Sequence, residues 1–147
     1  MKKVLTALCL GFLCLGSTLS ADDRERAIQF EKLPKAAIAF VEQYFSKDQV
    51  LFATEETEFL GKEYNVMLEN NISLQFDKEG KWTKVECRMN PIPQDLIPNE
   101  IQTFIEQKFP QMSVREIQRD KRGWEVELMN GIGLEFDQRF NLVDYDD

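Results

Sequence analysis

The residues with the clearest chemistry in this chain are carboxylates set at alternate positions. Glu125, Glu127 and Glu135 are followed by Asp137, and the tail adds Asp144, Asp146 and Asp147. Side chains two residues apart on an extended chain share a face, so Glu125, Glu127, Glu135 and Asp137 read as an anionic surface suited to a basic partner. Acid–base and nucleophilic catalysis find little to work with. The chain has no histidine, which removes the commonest general base and the commonest metal ligand together. Cys87 would act as a nucleophile only beside a base, and it reads as a buried structural thiol. Asp77, Glu79, Asp137 and the acidic tail offer oxygen ligands, but their spacing fits no calcium-binding loop. Asp77 and Asp137 read instead as turn aspartates that accept bonds from nearby backbone N–H groups. A glycine-rich phosphate loop, a serine nucleophile elbow and a carboxylate pair flanked by sugar-stacking aromatics are all missing from the sequence. No catalytic residue, cofactor or metal ligand is assigned.

The ends of the chain decide where such a surface would work. Lys2 and Lys3 precede an apolar run from Val4 to Leu15, and Gly16, Ser17, Thr18, Ser20 and Ala21 follow. This is the order of a secretory signal peptide, with cleavage expected near Ser20 or Ala21. The run is shorter than the roughly 20 residues of a membrane span. Leucines precede both Cys9 and Cys14, which does not suit a lipid-anchored cysteine, so the expected product is soluble and periplasmic or secreted. Removing 21 of 147 residues leaves 126, enough for a single domain over 22–147. Lys2 and Lys3 leave with the signal, so 16 basic residues face 26 acidic ones, a net charge of −10 against −8 for the full chain. A nucleic-acid partner is excluded by that balance. Only Cys87 remains, so no internal disulfide can form and stability must come from packing.

The chain also matches itself. At an offset of 64, Ile28, Pro34, Phe40, Glu42, Gln43, Phe45 and Val50 recur as Ile92, Pro98, Phe104, Glu106, Gln107, Phe109 and Val114. At an offset of 60, Val66, Leu68, Asn70, Ile72, Leu74 and Phe76 recur as Val126, Leu128, Asn130, Ile132, Leu134 and Phe136. The change of offset shortens the loop around Glu58–Glu63 to about Lys121–Gly123 in the second copy. Ala37, Ile38, Val41 and Phe45, like Ile101, Phe104, Ile105 and Phe109, fall at helical spacing behind Pro34 and Pro98. Tyr64, Val66, Leu68, Ile72, Leu74 and Phe76 alternate with period two, as do their counterparts, around Asn70-Asn71 and Asn130-Gly131 turns. The predicted fold is α+β: two tandem repeats, about 28–90 and 91–147, each one helix plus a four-stranded antiparallel meander, with the helices packed on one sheet face. The meanders form one sheet or two abutting sheets, and the other face stays open.

Leu33-Pro34, Phe40, Phe45, Tyr64-x-Val66-x-Leu68, Asn70, Ile72, Leu74, Phe76-Asp77, Gly80 and Trp82, with a second copy opening at Ile97-Pro98, carry a family likeness. Over nearly all of the exported chain the sequence resembles the β-lactamase-inhibitor-like, PepSY-like family of bacterial exported proteins. The resemblance implies a tandem helix-plus-meander fold in the periplasm and transfers no catalytic residues. It is similar to β-lactamase-inhibitory proteins, whose concave sheet face grips an enzyme, but their repeats each hold a disulfide and this chain keeps only Cys87.

Alternation then assigns a working surface. If Trp124, Val126, Leu128, Ile132, Leu134 and Phe136 face the helices, Glu125, Glu127, Met129 and Glu135 point away, with Met67, Asn65, Ser73 and Gln75 beside them from the first copy. Trp82 falls on the opposite parity from Val85 and Cys87, which places it on the open face as a candidate aromatic anchor. Phe59 and Leu60, in the loop the second copy lacks, are the next candidate contact. The leading expectation is a non-catalytic binding or inhibitor-like module, a monomer that engages a protein or peptide. The alternatives are an envelope protein acting by self-association along sheet edges and a hydrolase with an unusual carboxylate site.

Overall fold

The computed structural model describes residues 24–147, and the expected signal peptide at 1–21 lies outside the described residues. Nine strands follow one another in a single antiparallel sheet whose spatial order is the order of the chain. They are β1 (Glu25–Ile28), β2 (Val50–Glu58), β3 (Gly61–Leu68), β4 (Ile72–Phe76), β5 (Trp82–Cys87), β6 (Val114–Arg119), β7 (Gly123–Leu128), β8 (Gly133–Asp137) and β9 (Leu142–Asp146). Helix α1 (Lys35–Tyr44) connects β1 to β2, and α2 (Asn99–Lys108) connects β5 to β6.

This corrects the predicted fold class. The described residues do not build two repeats of a helix plus a four-stranded meander; they build one nine-stranded, sheet-dominated fold with two ten-residue α-helices. Two features escaped the periodicity. Strand β1 is almost wholly exposed, so Glu25–Ile28 carries no alternation to read, yet it pairs with β2 from Glu25↔Glu56 to Ile28↔Ala53. The two halves are also joined by a ladder, Lys84↔Gln118, Val85↔Ile117 and Glu86↔Glu116, so β5 and β6 are interior strands rather than edges. Alternation identifies which residues share a face, but the partner across the ladder is set by tertiary register.

Both helices lie on the face defined by Val66, Leu74, Val85, Ile117, Val126 and Leu134, which stand opposite one another across six strands and are at most 2 % exposed. Phe40 of α1 meets Phe76 edge to face with ring centroids 5.5 Å apart, and Phe104 of α2 meets Phe136 in the same way at 5.4 Å. Such pairs add about 0.5–1.5 kcal/mol beyond the area they bury. Pro34 and Pro98 stand at the N-caps, one residue ahead of the first helical turn, and their carbonyls accept the first helical bonds: Ala37 N–H at 2.9 Å and Gln102 N–H at 3.0 Å. The β4–β5 turn docks on this end of α1. Gly80 has φ of 84°, and a Cβ there would lie 2.7 Å from Pro34 Cβ and 2.9 Å from the Ala37 nitrogen, which only glycine avoids.

The turn aspartates behave as their spacing predicts. Asp77 Oδ1 accepts from Glu79 N–H (2.9 Å) and Lys81 N–H (3.0 Å), and Asp137 Oδ1 from Arg139 N–H (2.8 Å) and Asn141 N–H (3.0 Å). Asn70 and Asn71 take φ of 61° and 57°, and Gly131 takes 90°, which closes the two hairpins.

Candidate functional site

The helices occupy one face, and no described element covers the other. Its chemistry follows from register. One row across the open face runs Ala27, Thr54, Asn65, Gln75, Lys84, Gln118, Glu125, Glu135, Asp144. The next runs Phe52, Met67, Ser73, Glu86, Glu116, Glu127, Gly133, Asp146. The rows divide at β5. From β2 to β4 they are uncharged; from β5 to β9 they carry seven carboxylates, Glu86, Glu116, Glu125, Glu127, Glu135, Asp144 and Asp146.

Several of these carboxylates stand directly opposite one another: Glu86 against Glu116, Glu116 against Glu127, and Glu125 against Glu135, which in turn faces Asp144. Like charges paired across strands destabilise a sheet, so folding alone gives no reason for the arrangement. Cations among the described residues partly offset it, one of them Arg88, whose Nε donates to Glu86 Oε1 at 2.8 Å. Lys84 Nζ lies 3.0 Å from Glu116 Oε1, and Arg115, set at the β6 bulge, pairs with Glu127. Lys84 is only 7 % exposed although no described element lies over this face, so the side chains of neighbouring strands must enclose it. Burial pushes the Glu116 carboxyl above its ordinary value even with Lys84 beside it. Burial also raises Glu125, and the adjacent Glu135 adds to the effect. A hollow of about 230 Å³ opens over this half, lined by Glu116, Glu125, Glu127, Glu135, Asp144 and Asp146 among others. Half-buried carboxylates around such a hollow attract a cationic side chain strongly, because the screening of bulk water is reduced there.

Glu125, Glu127 and Glu135 are thus brought together on the open face. Met67 lies on the same face, between Phe52 and Ser73 in the uncharged half. Met129 lies just beyond β7, half-buried, with its N–H on Ser113 O at 2.8 Å. Trp82 is elsewhere, which corrects its assignment to the open face. A bulge in the β4–β5 ladder sets Trp82 opposite the core residue Phe76, so simple alternation along β5 fails at its first residue. Its ring packs on the helix side, 6.3 Å from Phe40 and 6.1 Å from Trp124, with the Arg119 guanidinium 3.8 Å above it. Arg119 Nε also donates to Trp82 O at 2.9 Å, so arginine and tryptophan close the seam between the halves. Phe59 and Leu60 are far from the carboxylates, at the tip of the β2–β3 hairpin.

Lys84, Glu86, Glu116, Asp144 and Asp146 were missed as members of this surface. The alternation of Lys84 and Glu86 was visible around Val85, but the β6 bulge at Arg115 breaks the spacing that would have marked Glu116. Catalytic chemistry gains nothing from the geometry. Burial pushes the Cys87 thiol up to about 11, away from the reactive thiolate. Among the described residues no group of three or more acidic or cysteine side chains is placed to hold a metal ion.

The sequence profile of the PepSY-like family, described as beta-lactamase-inhibitor-like and PepSY-like, matches residues 16–74 and again 62–144. The chain belongs to this PepSY-like family. Three crystal structures similar to this PepSY-like protein are provisionally described as periplasmic. One, of the DUF2874 family from Bacteroides vulgatus ATCC 8482, is 35 % identical, with 86 % of this chain and 100 % of that chain covered and a TM-score of 0.82. A second, from Bacteroides thetaiotaomicron and described as calcium-regulated, is 38 % identical over 84 % of this chain and 97 % of that one, with a TM-score of 0.79. A third, from Bacteroides vulgatus ATCC 8482 and described as of unknown function, is 26 % identical over 84 % and 99 %, with a TM-score of 0.79. No curated protein matches the chain. Among the described residues of this PepSY-like protein, no helix is long and apolar enough to cross a membrane.

Proposed function

We propose that this PepSY-like protein is a non-catalytic periplasmic binding module that takes a basic protein or peptide segment on its open sheet face. The observation that carries the reading is the uncovered β5–β9 face, where Glu116, Glu125, Glu127, Glu135 and Asp144 converge on one hollow and outnumber the cations Lys84, Arg115 and Arg122 that act on them among the described residues. Opposed carboxylates are unfavourable in the free protein and become favourable when a cation lies between them. The uncharged half, with Phe52 and Met67, would take the apolar part of the same partner. The description of the Bacteroides thetaiotaomicron relative as calcium-regulated belongs to that protein and is not carried over to this chain. Periplasmic placement rests on the relatives and on the export signal read in the sequence.

The test is a titration of the purified protein with a labelled lysine- and arginine-rich peptide of about a dozen residues. Reversing Glu125, Glu127 and Glu135 to lysine together should weaken binding at least tenfold, with far-ultraviolet dichroism confirming that the variant is folded. Binding should also fade as salt approaches molar levels, where screening lengths shrink to about 3 Å. Equal binding by the variant overturns the reading.

A second reading, self-association along sheet edges, is favoured by one feature: edge strand β9 exposes Leu142, Val143 and Tyr145 at 41, 56 and 45 %. Asp144 and Asp146 on the same strand, with Asp147 just beyond it, would repel a second copy. A light-scattering mass of one protomer at micromolar concentration supports partner binding, and a dimer supports the edge.

A further inference from the structure

The β2–β3 hairpin carries two apolar side chains that the fold does not use. Strand β1 first meets β2 at Glu25↔Glu56, and β4 last meets β3 at Phe76↔Tyr64. Beyond those pairs the β2–β3 ladder runs on through Thr57↔Lys62 and Glu58↔Gly61, with Thr57 N–H donating to Arg24 O at 2.6 Å and the Lys78 side chain lying beside Gly61. At its tip Phe59 is 99 % and Leu60 83 % exposed. Gly61 takes the positive φ, 130°, so the turn closes without asking either tip residue for a strained backbone. The β6–β7 hairpin shows what the sheet itself requires. It turns through polar Asp120–Arg122, with Asp120 Oδ1 accepting from Arg122 N–H at 2.7 Å, and has no such extension. The longer, apolar tip is therefore an addition to the fold rather than a condition of it.

The stem below the tip has two sides of different charge. On the helix side Glu55 is paired with Arg26 and with Lys62, each at 3.0 Å. On the open side Glu56 stands opposite both Glu25 and Glu63, and Glu58 follows two residues along the same side. The carboxyls of Glu56 and Glu63 lie above their ordinary values, first through burial, with Glu58 and Glu25 adding repulsion at Glu56 and Glu58 and Asp77 at Glu63. An apolar finger thus stands beside four crowded carboxylates.

We propose that Phe59 and Leu60 form a docking tip that seats in an apolar pocket of a second protein, whose basic rim meets Glu25, Glu56, Glu58 and Glu63. The charges select this occupant. An anionic lipid surface would be repelled by the same carboxylates, and a second copy of this chain would bring like charges against them. Exposed aromatics of this kind, desolvated at the centre of a contact, carry much of the energy of protein interfaces. The contact is separate from the β5–β9 surface and does not rest on the function proposed for it.

The experiment places a photo-crosslinking amino acid at position 59 of the full chain in the cells that export it, then measures binding of the purified cross-linked protein to the unmodified chain. The proposal expects one dominant protein adduct, and binding that Phe59→Asp and Leu60→Asp each weaken at least tenfold. Glu56→Lys with Glu58→Lys should weaken it several-fold, and the Glu125, Glu127 and Glu135 reversal should leave it unchanged. Because the tip touches no core, the tip variants should keep the wild-type denaturant midpoint, which separates lost contact from lost folding. Adducts confined to a second copy of the chain, flotation with phosphatidylethanolamine–phosphatidylglycerol vesicles through Phe59, or binding indifferent to both aspartate variants would each overturn it.

Discussion

At the scale of single residues, the Lys84–Glu116 pair shows how binding chemistry and stability share a site. Its side chains are 9 and 12 % exposed, so removing one partner strands a charge where water cannot fully solvate it. Lys84→Met should destabilise by about 3–5 kcal/mol at neutral pH. The deficit should shrink as Glu116 takes up a proton on acidification, and Lys84→Met with Glu116→Leu should recover much of the loss. Urea midpoints at neutral and mildly acid pH check both statements. Leu74 and Leu134, 0 and 2 % exposed on the helix side, test the face assignment. Either leucine changed to alanine should cost about 2–5 kcal/mol, and an unchanged midpoint for both would mean that the two faces are exchanged.

At the scale of elements, bulges decide what alternation cannot. The β4–β5 bulge turns Trp82 to the helix side, and the β6 bulge brings Arg115 beside Glu127. Both irregularities re-aim side chains at the places where the two halves and the acidic face are built. Helix α1 is held at its N-terminus by the Gly80 turn. Gly80→Ala should destabilise by about 1–3 kcal/mol, because the new methyl group meets Pro34 and the Ala37 backbone at a positive φ. Thermal melts check this, and a gain in stability would show that the turn can move away. Trp82, packed against Trp124 and Arg119, should report unfolding of the seam by fluorescence at the same midpoint as far-ultraviolet dichroism.

At the scale of the whole molecule, charge makes stability depend on pH in two opposing ways. Glu56, Glu63, Glu116 and Glu125 have raised carboxyl values, chiefly through burial. The folded state holds these protons more tightly than the unfolded chain, so stability should rise as pH falls from neutral towards the ordinary carboxylate range near 4. Glu55, Asp120 and Asp137 are lowered, Glu55 and Asp137 first by hydrogen bonds, with Asp120 held down by Arg122 and nearby backbone N–H groups against its own burial. Their stabilisation is present above the ordinary range and is lost as pH falls through their folded values. Melting temperatures at low salt should therefore peak at mildly acidic pH. A steady decline from pH 8 downwards would show that the opposed carboxylates do not strain the fold.

The sequence by itself determined the local chemistry: which residues alternate, which asparagines, glycines and aspartates turn the chain, and which family the chain resembles. Leu74, Leu134, Asp77 and Asp137 were readable because side-chain periodicity and turn geometry are local properties of the backbone. The tertiary structure decided everything that depends on register. It added the exposed strand β1, joined β5 to β6 into one nine-stranded sheet, carried Trp82 across to the helix side, and set Lys84, Glu86, Glu116 and Asp144 beside Glu125, Glu127 and Glu135. Residues so far apart in the chain become neighbours only through cross-strand pairing. That pairing is chosen by how the shared core packs, and no stretch of sequence encodes it alone.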